Sequence, residues 1–343
     1  MKLGVSYFGV RAPELVQRDL EEIVSAGCNL IVHTFSENDL LFYHQTMREI
    51  VQLSHDQGLE VYLDPWGVGG VFGGEAFSAF VMVRTEDRQV LSDGRLAPAA
   101  CPNSRGFREF MKEWVSAALE TGADGIFWDE PHFYEGWLER AAQPFIHGGG
   151  AQWACKCESC QELFRDKYGQ DIPQRVEDER LKIFREESIF SFLKELMDFA
   201  KALGGRNALC LMPQWNDKEG QLQRWERYLE LESLDVFGTD PYWIGHGKRI
   251  DDFLFYVRGL KCLCDAYDKE AQIWVQVFKI GAGDEDKVAR SIEIAHREGI
   301  TNICAWGYRG SAYMSAIRCD DPGLVWQKLK EVYKIIRSGA MSY

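Results

Sequence analysis

One pattern recurs eight times along the chain. A short, nearly continuous apolar segment ends in polar or aromatic residues, and a segment of helical period follows. The apolar segments are 3–8, 30–35, 60–65, 125–129, 208–213, 235–239, 273–278 and 302–306. Each is rich in β-branched or aromatic residues, as a strand buried on both faces must be. The segments between them are amphipathic. Residues 13–26 carry Leu15, Leu20, Ile23 and Val24 on one face, and residues 107–120 carry Phe110, Trp114, Ala117 and Leu119. Gly27, Gly58, Gly122 and Gly299 fall just before strands, where a helix end needs a left-handed cap. Eight such units without a Pro/Ser-rich linker predict an α/β fold: a single (β/α)8 TIM barrel over residues 1–343. Two inserts interrupt the rhythm. One, about 66–104, follows the third strand and is rich in Gly; the other, about 133–180, follows the fourth. Neither carries the pattern of a separate core, so both are expected to act as lids.

The barrel decides where chemistry can sit, because active-site groups project from the C-terminal strand ends. Those ends carry Tyr7, His33, Asp64 and Trp66 from the first three strands. Asp129, Glu130 and His132 come from the fourth, Gln214 and Trp215 from the fifth, and Asp240, Tyr242 and Trp243 from the sixth. Gln276 and Lys279 come from the seventh, and Trp306, Tyr308 and Arg309 from the eighth.

Carboxylates flanked by large aromatics are what glycoside cleavage needs. One carboxylic acid protonates the leaving oxygen, and a second supports the oxocarbenium-like centre or activates water. Glu130, in Phe127-Trp128-Asp129-Glu130-Pro131-His132, is the candidate general acid. Asp129 is its neighbour, and strand alternation sends the two apart unless the strand ends there. Asp240 is the first choice for nucleophile or base and Asp64 the second; each precedes a Pro that favours an extended backbone. Asp284 and Glu285 instead open the next helix. Tyr7, His33, Asp64, Trp66, His132, Gln214, Trp215, Tyr242, Trp243, Gln276, Lys279, Trp306 and Arg309 are candidate substrate contacts. The competing assignment is core packing for His33 and one of the rim aromatics, and an ion pair for Arg309.

Composition sharpens the choice of substrate. The 343 residues carry a net charge of −14, which repels phosphate backbones and anionic lipid. Nucleic acid and membrane are therefore not expected partners; neutral or cationic substrates fit better, and a neutral saccharide is expected. Eleven Trp, thirteen Tyr and twenty Phe exceed what a core alone requires and suit stacking on sugar rings. No apolar run approaches the length of a membrane span, and the N-terminal stretch reads as a strand, so a cytoplasmic protein is expected.

Cys155, Cys157 and Cys160 form C-x-C-x2-C in the second insert, and Cys101 stands in the first. Four soft ligands in a reducing compartment predict structural zinc that staples the inserts together. Four thiolates leave no open position, so a catalytic zinc is not expected. Cys28, Cys210 and Cys304 read as core, whereas Cys262 and Cys264 face different ways on one helix.

At these residues the chain resembles a known group. Cys101-Pro102-Asn103-Ser104, then C-x-C-x2-C, Phe164 and Lys167-Tyr168-Gly169, look like the zinc-bearing β-galactosidases of glycoside hydrolase family forty-two. The resemblance is sharp over residues 101–169 and fold-level elsewhere. It implies an acid/base role for Glu130, zinc on the four cysteines and a homo-oligomer, trimers being found in that family. It also implies a nucleophilic Glu at the seventh strand end, where this chain has Gln276 or Lys279. That departure leaves an inverting enzyme, another nucleophile such as Asp240, or a lost activity. The expected function is a glycoside hydrolase. The alternatives are a sugar-binding barrel, or another carbohydrate-active enzyme such as a lyase or transglycosylase.

Overall fold

The computed structural model describes residues 1–136 and 152–340. Eight parallel strands close a barrel: β1 (Lys2–Tyr7), β2 (Leu30–Thr34), β3 (Glu60–Asp64), β6 (Gly125–Asp129), β7 (Arg206–Leu211), β8 (Val236–Thr239), β9 (Glu270–Gln276) and β10 (Asn302–Trp306). Each overlaps one of the eight predicted segments, with β7 and β9 beginning two and three residues earlier than expected. Two further strands, β4 (Arg88–Val90) and β5 (Leu96–Ala100), form an antiparallel pair inside the first insert.

Alternate residues of each barrel strand face in and out. Leu30, Val32, Tyr62, Phe127, Ala208, Cys210, Val236, Trp274 and Cys304 fill the interior as one apolar cluster. Their strand neighbours, among them Leu3, Val5, Ile31, Leu63, Trp128, Leu209 and Ile273, pack outward in the layer shared with the helices. Gly4 is bare because a Cβ there would lie 2.6 Å from the Cys304 sulfur. The N-terminal floor is closed by charge. Lys2 and Arg206 each bridge Glu60 and Glu270, Tyr62 donates to Glu60, and Asn302 donates to Glu270.

The outer helices start where their caps dictate. Ser104 accepts from the Phe107 amide to open Arg105–Glu120, and Asp321 accepts from the Leu324 amide to open Pro322–Arg337. Gly27, Gly58, Gly122 and Gly299 all have positive φ, as their place after helices required. Asp286–Arg297 begins directly after Glu285. Two helix faces differ from expectation. Pro13–Ser25 buries Val16, Leu20 and Ile23 while Leu15 is exposed. Arg105–Glu120 buries Phe107, Met111, Trp114, Val115 and Ala118, a face rotated from the predicted one. Ala117 and Leu119 also have apolar neighbours on the helix surface, so the pattern alone admitted either rotation.

The first insert is held by a buried carboxylate that the sequence did not single out. Glu37, after β2, accepts from the Gly69 amide (2.8 Å), the Ser78 hydroxyl (2.6 Å) and the Phe80 amide (2.6 Å). Glu37→Ala leaves all three donors without their acceptor. It should cost roughly 3 kcal/mol, read as a lower denaturant midpoint at unchanged slope; Glu37→Gln should cost less.

Candidate active site

The inward parity carries the site. On β3, Tyr62 points in, and so does Asp64 at the strand end; on β6, Phe127 points in, and so does Asp129. Asp129 is therefore the residue that alternation aims into the barrel, and Glu130 is the one it would send away. Glu130 reaches the same mouth because its backbone is left-handed (φ 40°) while its amide still bonds the Cys210 carbonyl at 3.1 Å. The strand ends at Asp129, and the turn redirects the next side chain. His132 fixes that turn: its Nδ1 lies 2.7 Å from the Glu130 carbonyl, and its amide donates to Val71 in the first insert.

Five carboxyls act on one another here. Asp240 and Glu130 lie close enough at this mouth for their charges to act on one another. Burial raises the Asp240 carboxyl well above the ordinary range, and the Glu130 and Asp129 charges add to that. Asp129 is raised by burial and then by Glu130 and Glu75. Asp64 is raised most plainly by burial, then by Asp129, Glu130 and Glu75. It is fully buried, and neither of its carboxylate oxygens has a hydrogen-bond partner. One Asp240 oxygen and the Ser6 hydroxyl, also buried, are likewise unpartnered.

A carboxyl raised on folding costs stability above its unfolded pKa. Between the ordinary carboxylate value near about 4 and the raised folded value, the folded chain holds more protons than the unfolded one. Stability therefore falls as pH rises through that window and is fully recovered below it. Asp64→Asn removes the penalty. It should raise Tm at pH 8 and leave it nearly unchanged at pH 4, as a thermal melt at each pH would show.

The opposite side of the mouth is aromatic. Trp306 lies 5.9 Å from Phe8 in a stacked pair, 5.8 Å from Trp66 and 5.6 Å from Trp274, ring centre to ring centre. Tyr242 packs on the interior cluster and edge-on to Phe278 at 5.0 Å. Gln276 is inward but occupied: it accepts from the Gly245 amide at 2.8 Å and donates to the Phe278 carbonyl at 2.9 Å. The seventh strand end thus holds a loop in place where a nucleophile was looked for. Lys279 is exposed at the rim and acts on Glu75.

Other predicted contacts lie elsewhere. Tyr7 has the outward parity and donates to Asp19 of the first helix at 2.7 Å. His33 is also outward, fully buried against Ser54 (2.9 Å), and burial lowers its pKa to about 3. Trp243 donates to Ser291 on the helix Asp286–Arg297. Arg309 pairs with Glu22 and Asp19 outside the barrel. Gln214 is exposed and bonded to Arg224, and Trp215 rests edge-on against Tyr256 at 5.4 Å near His246. Tyr7, His33, Trp243 and Arg309 are near strand ends in sequence, but parity or loop direction turns their side chains to the helices.

Two groups near Glu130 were missed. Glu75 sits in Gly73-Gly74-Glu75, and a Cβ on Gly73 would lie 2.4 Å from the Asp129 carboxylate. The insert therefore runs directly over Asp129, and burial and Glu130 together raise Glu75 while Lys279 lowers it. An acidic residue inside a Gly-rich insert was the available signal. His246, in the loop after β8, feels the Glu130 charge, yet burial lowers its pKa overall. No motif marked it.

The four cysteines converge. Cys101 Sγ lies 3.4 Å from Cys160, 3.4 Å from Cys157 and 3.8 Å from Cys155, and all four sulfurs fall within 4.8 Å of one another. Zn–S bonds of about 2.3 Å place tetrahedral sulfurs roughly 3.8 Å apart, so the set fits zinc. Backbone amides of Val90, Asn103 and Cys157 and the Asn103 side chain point at these sulfurs, as donors around thiolates do. Cys101 follows β5, whereas the other three precede or open the helix Glu158–Tyr168. Residues 152–156 run beside the β4–β5 pair, with Lys156 donating to Val90 and Ser92 to Trp153. Residues 137–151, part of the second insert, lie outside the described residues.

Comparison with known proteins gives the class of fold. No protein-family description matches the chain, and no curated protein matches it. Solved structures do. An endo-β-1,4-mannanase from Thermotoga petrophila is similar over 98% of this chain and 77% of its own, with a TM-score of 0.60 and 8% identity. The PgaB (BpsB) glycoside hydrolase domain from Bordetella bronchiseptica is similar over 97% and 99%, with a TM-score of 0.60 and 11% identity. A D-psicose 3-epimerase from Clostridium cellulolyticum H10 is similar over 98% and 99%, with a TM-score of 0.51 and 11% identity. The chain is thus a TIM barrel, a fold that these hydrolases and the epimerase share. At such identities the likeness extends to the fold and no further. No helix among the described residues is long and apolar enough to cross a membrane.

Proposed function

We propose that the protein is a glycoside hydrolase with Glu130 as its general acid. The observation that carries this reading is the convergence of Glu130, Asp240, Asp129 and Asp64 at the mouth of the barrel, opposite the Trp306 wall. A carboxylic acid placed there can deliver its proton to the leaving oxygen. The remaining carboxylates face the place where oxocarbenium charge develops, and buried negative charge stabilises it more than the neutral ground state.

Asp240 is the first choice for the second role, as nucleophile or base, with Asp129 and Asp64 beside it. Nucleophile and acid of a retaining pair stand about 5–5.5 Å apart, and those of an inverting pair about 6.5–9.5 Å. Trp66, Trp306 and Tyr242 bound the sugar, and Lys279, His246 and Trp215 lie at the rim. The four cysteines would hold a structural zinc that ties both inserts over this mouth as a lid. The family forty-two resemblance supports the zinc and Glu130; the occupied Gln276 supports a distant relative with different second-carboxylate chemistry.

Gln276 also favours one rival, a sugar-binding barrel without turnover. A panel of α- and β-glycosides and oligosaccharides separates the two. Sugar release by the wild type and its loss in Glu130→Gln supports the hydrolase. Binding without release from any member supports the rival. Release unaffected by Glu130→Gln contradicts the assignment of the acid.

A further inference from the structure

We infer that the sugar taken by this cleft carries a charged amine, and that Asp64 is the residue that selects it. The inference rests on the reading of the barrel mouth as a sugar site. It starts from an imbalance. Asp64, Asp129, Glu130, Asp240 and Glu75 lie within electrostatic range of one another, and the charges acting on Asp64 and Asp129 are all carboxylates. Lys279 acts on Glu75, at the exposed rim. Asp64 is wholly buried, inward-facing and without a hydrogen bond to either oxygen. Ser6 and one Asp240 oxygen are buried and unpartnered in the same way.

Buried carboxylates are ordinarily paired, because an unpaired one costs several kcal/mol. Among the described residues Asp64 has no such pair, so the missing partner is sought in the ligand. A hydroxyl can donate one hydrogen bond, but it leaves the mutual repulsion of the acids untouched. An ammonium donates three and cancels one charge as well. The aromatic wall of Trp306, Trp66 and Phe8 suits the apolar face of the same ring. The net charge of −14 draws a cationic ligand toward the protein from a distance.

The test is binding, measured by calorimetry at pH 7 on the full chain, apart from any cleavage. The probes are glucosamine against glucose and galactosamine against galactose, with both N-acetylated forms. An amine is expected to bind about tenfold or more tightly than its neutral partner. The preference should vanish in Asp64→Asn, a variant expected to melt no lower than the wild type. Lys279→Met, at the exposed rim, should strengthen amine binding because it removes a like charge. Neutral or N-acetylated sugars binding as well as the amines would overturn the inference, as would amines that fail to bind. Glu130-dependent cleavage of neutral glycosides without amine preference would sink this inference and leave the hydrolase standing. Amine binding without cleavage of any glycoside would do the reverse.

Discussion

Cys101→Ser is expected to unfold the region over the barrel mouth and release one zinc per chain. Structural zinc in small sites contributes on the order of 10–16 kcal/mol of binding free energy, and one lost thiolate forfeits much of it. Elemental analysis should find one zinc in the wild type and far less in the variant, with a clearly lower Tm. Activity should fall too, because the site connects to Glu130 through short steps. Gln89, on β4, accepts from the Tyr134 amide and donates to the Ala100 carbonyl beside Cys101. The same segment, through His132, is bonded to Val71 and to the Glu130 carbonyl. A chelator should reproduce the loss, and added zinc should reverse it. Full activity and unchanged Tm in metal-free protein would show that the cysteines pack as thiols.

Glu130→Gln is expected to lower kcat about 10²–10⁴-fold with little change in KM, since the amide keeps its shape and loses its proton. Asp240→Asn should remove the carboxylate that acts in its ionised form, so the acidic limb of the pH–rate profile should move. A structural role alone would lower kcat at every pH without moving that limb. Equal, pH-independent losses in both variants would refute the division of roles.

The fold was legible because its signal is local and repeated. Eight continuous apolar segments, each followed by a helical period and four of them preceded by a helix-ending Gly, leave little choice but a parallel barrel. The cysteine cluster was legible for a similar reason: ligand spacing is written directly in residues 155–160, and Cys101 is recognisable once the inserts are placed. The carboxylates were half legible. Asp64, Asp129, Glu130 and Asp240 stand at strand ends, but which of them turn inward depends on where each strand stops. Glu130 is aimed by a left-handed turn after Asp129, a backbone state that Glu does not advertise. Tyr7 and His33 show the opposite case, since they are still within their strands and obey the outward parity. Glu75 and His246 reach the site from loops, where no period predicts direction.

The central claim is that Glu130 delivers the proton to the leaving oxygen, and the dependence of rate on leaving group tests it most directly. Aryl glycosides of the productive sugar, graded in phenol acidity, would be assayed with the wild type and with Glu130→Gln. A general acid matters least when the leaving group needs no proton. The variant should therefore be nearly as fast as the wild type on the most acidic phenol and fall away steeply as the phenol becomes less acidic. A loss of the same size for every leaving group, or none at all, would contradict the assignment.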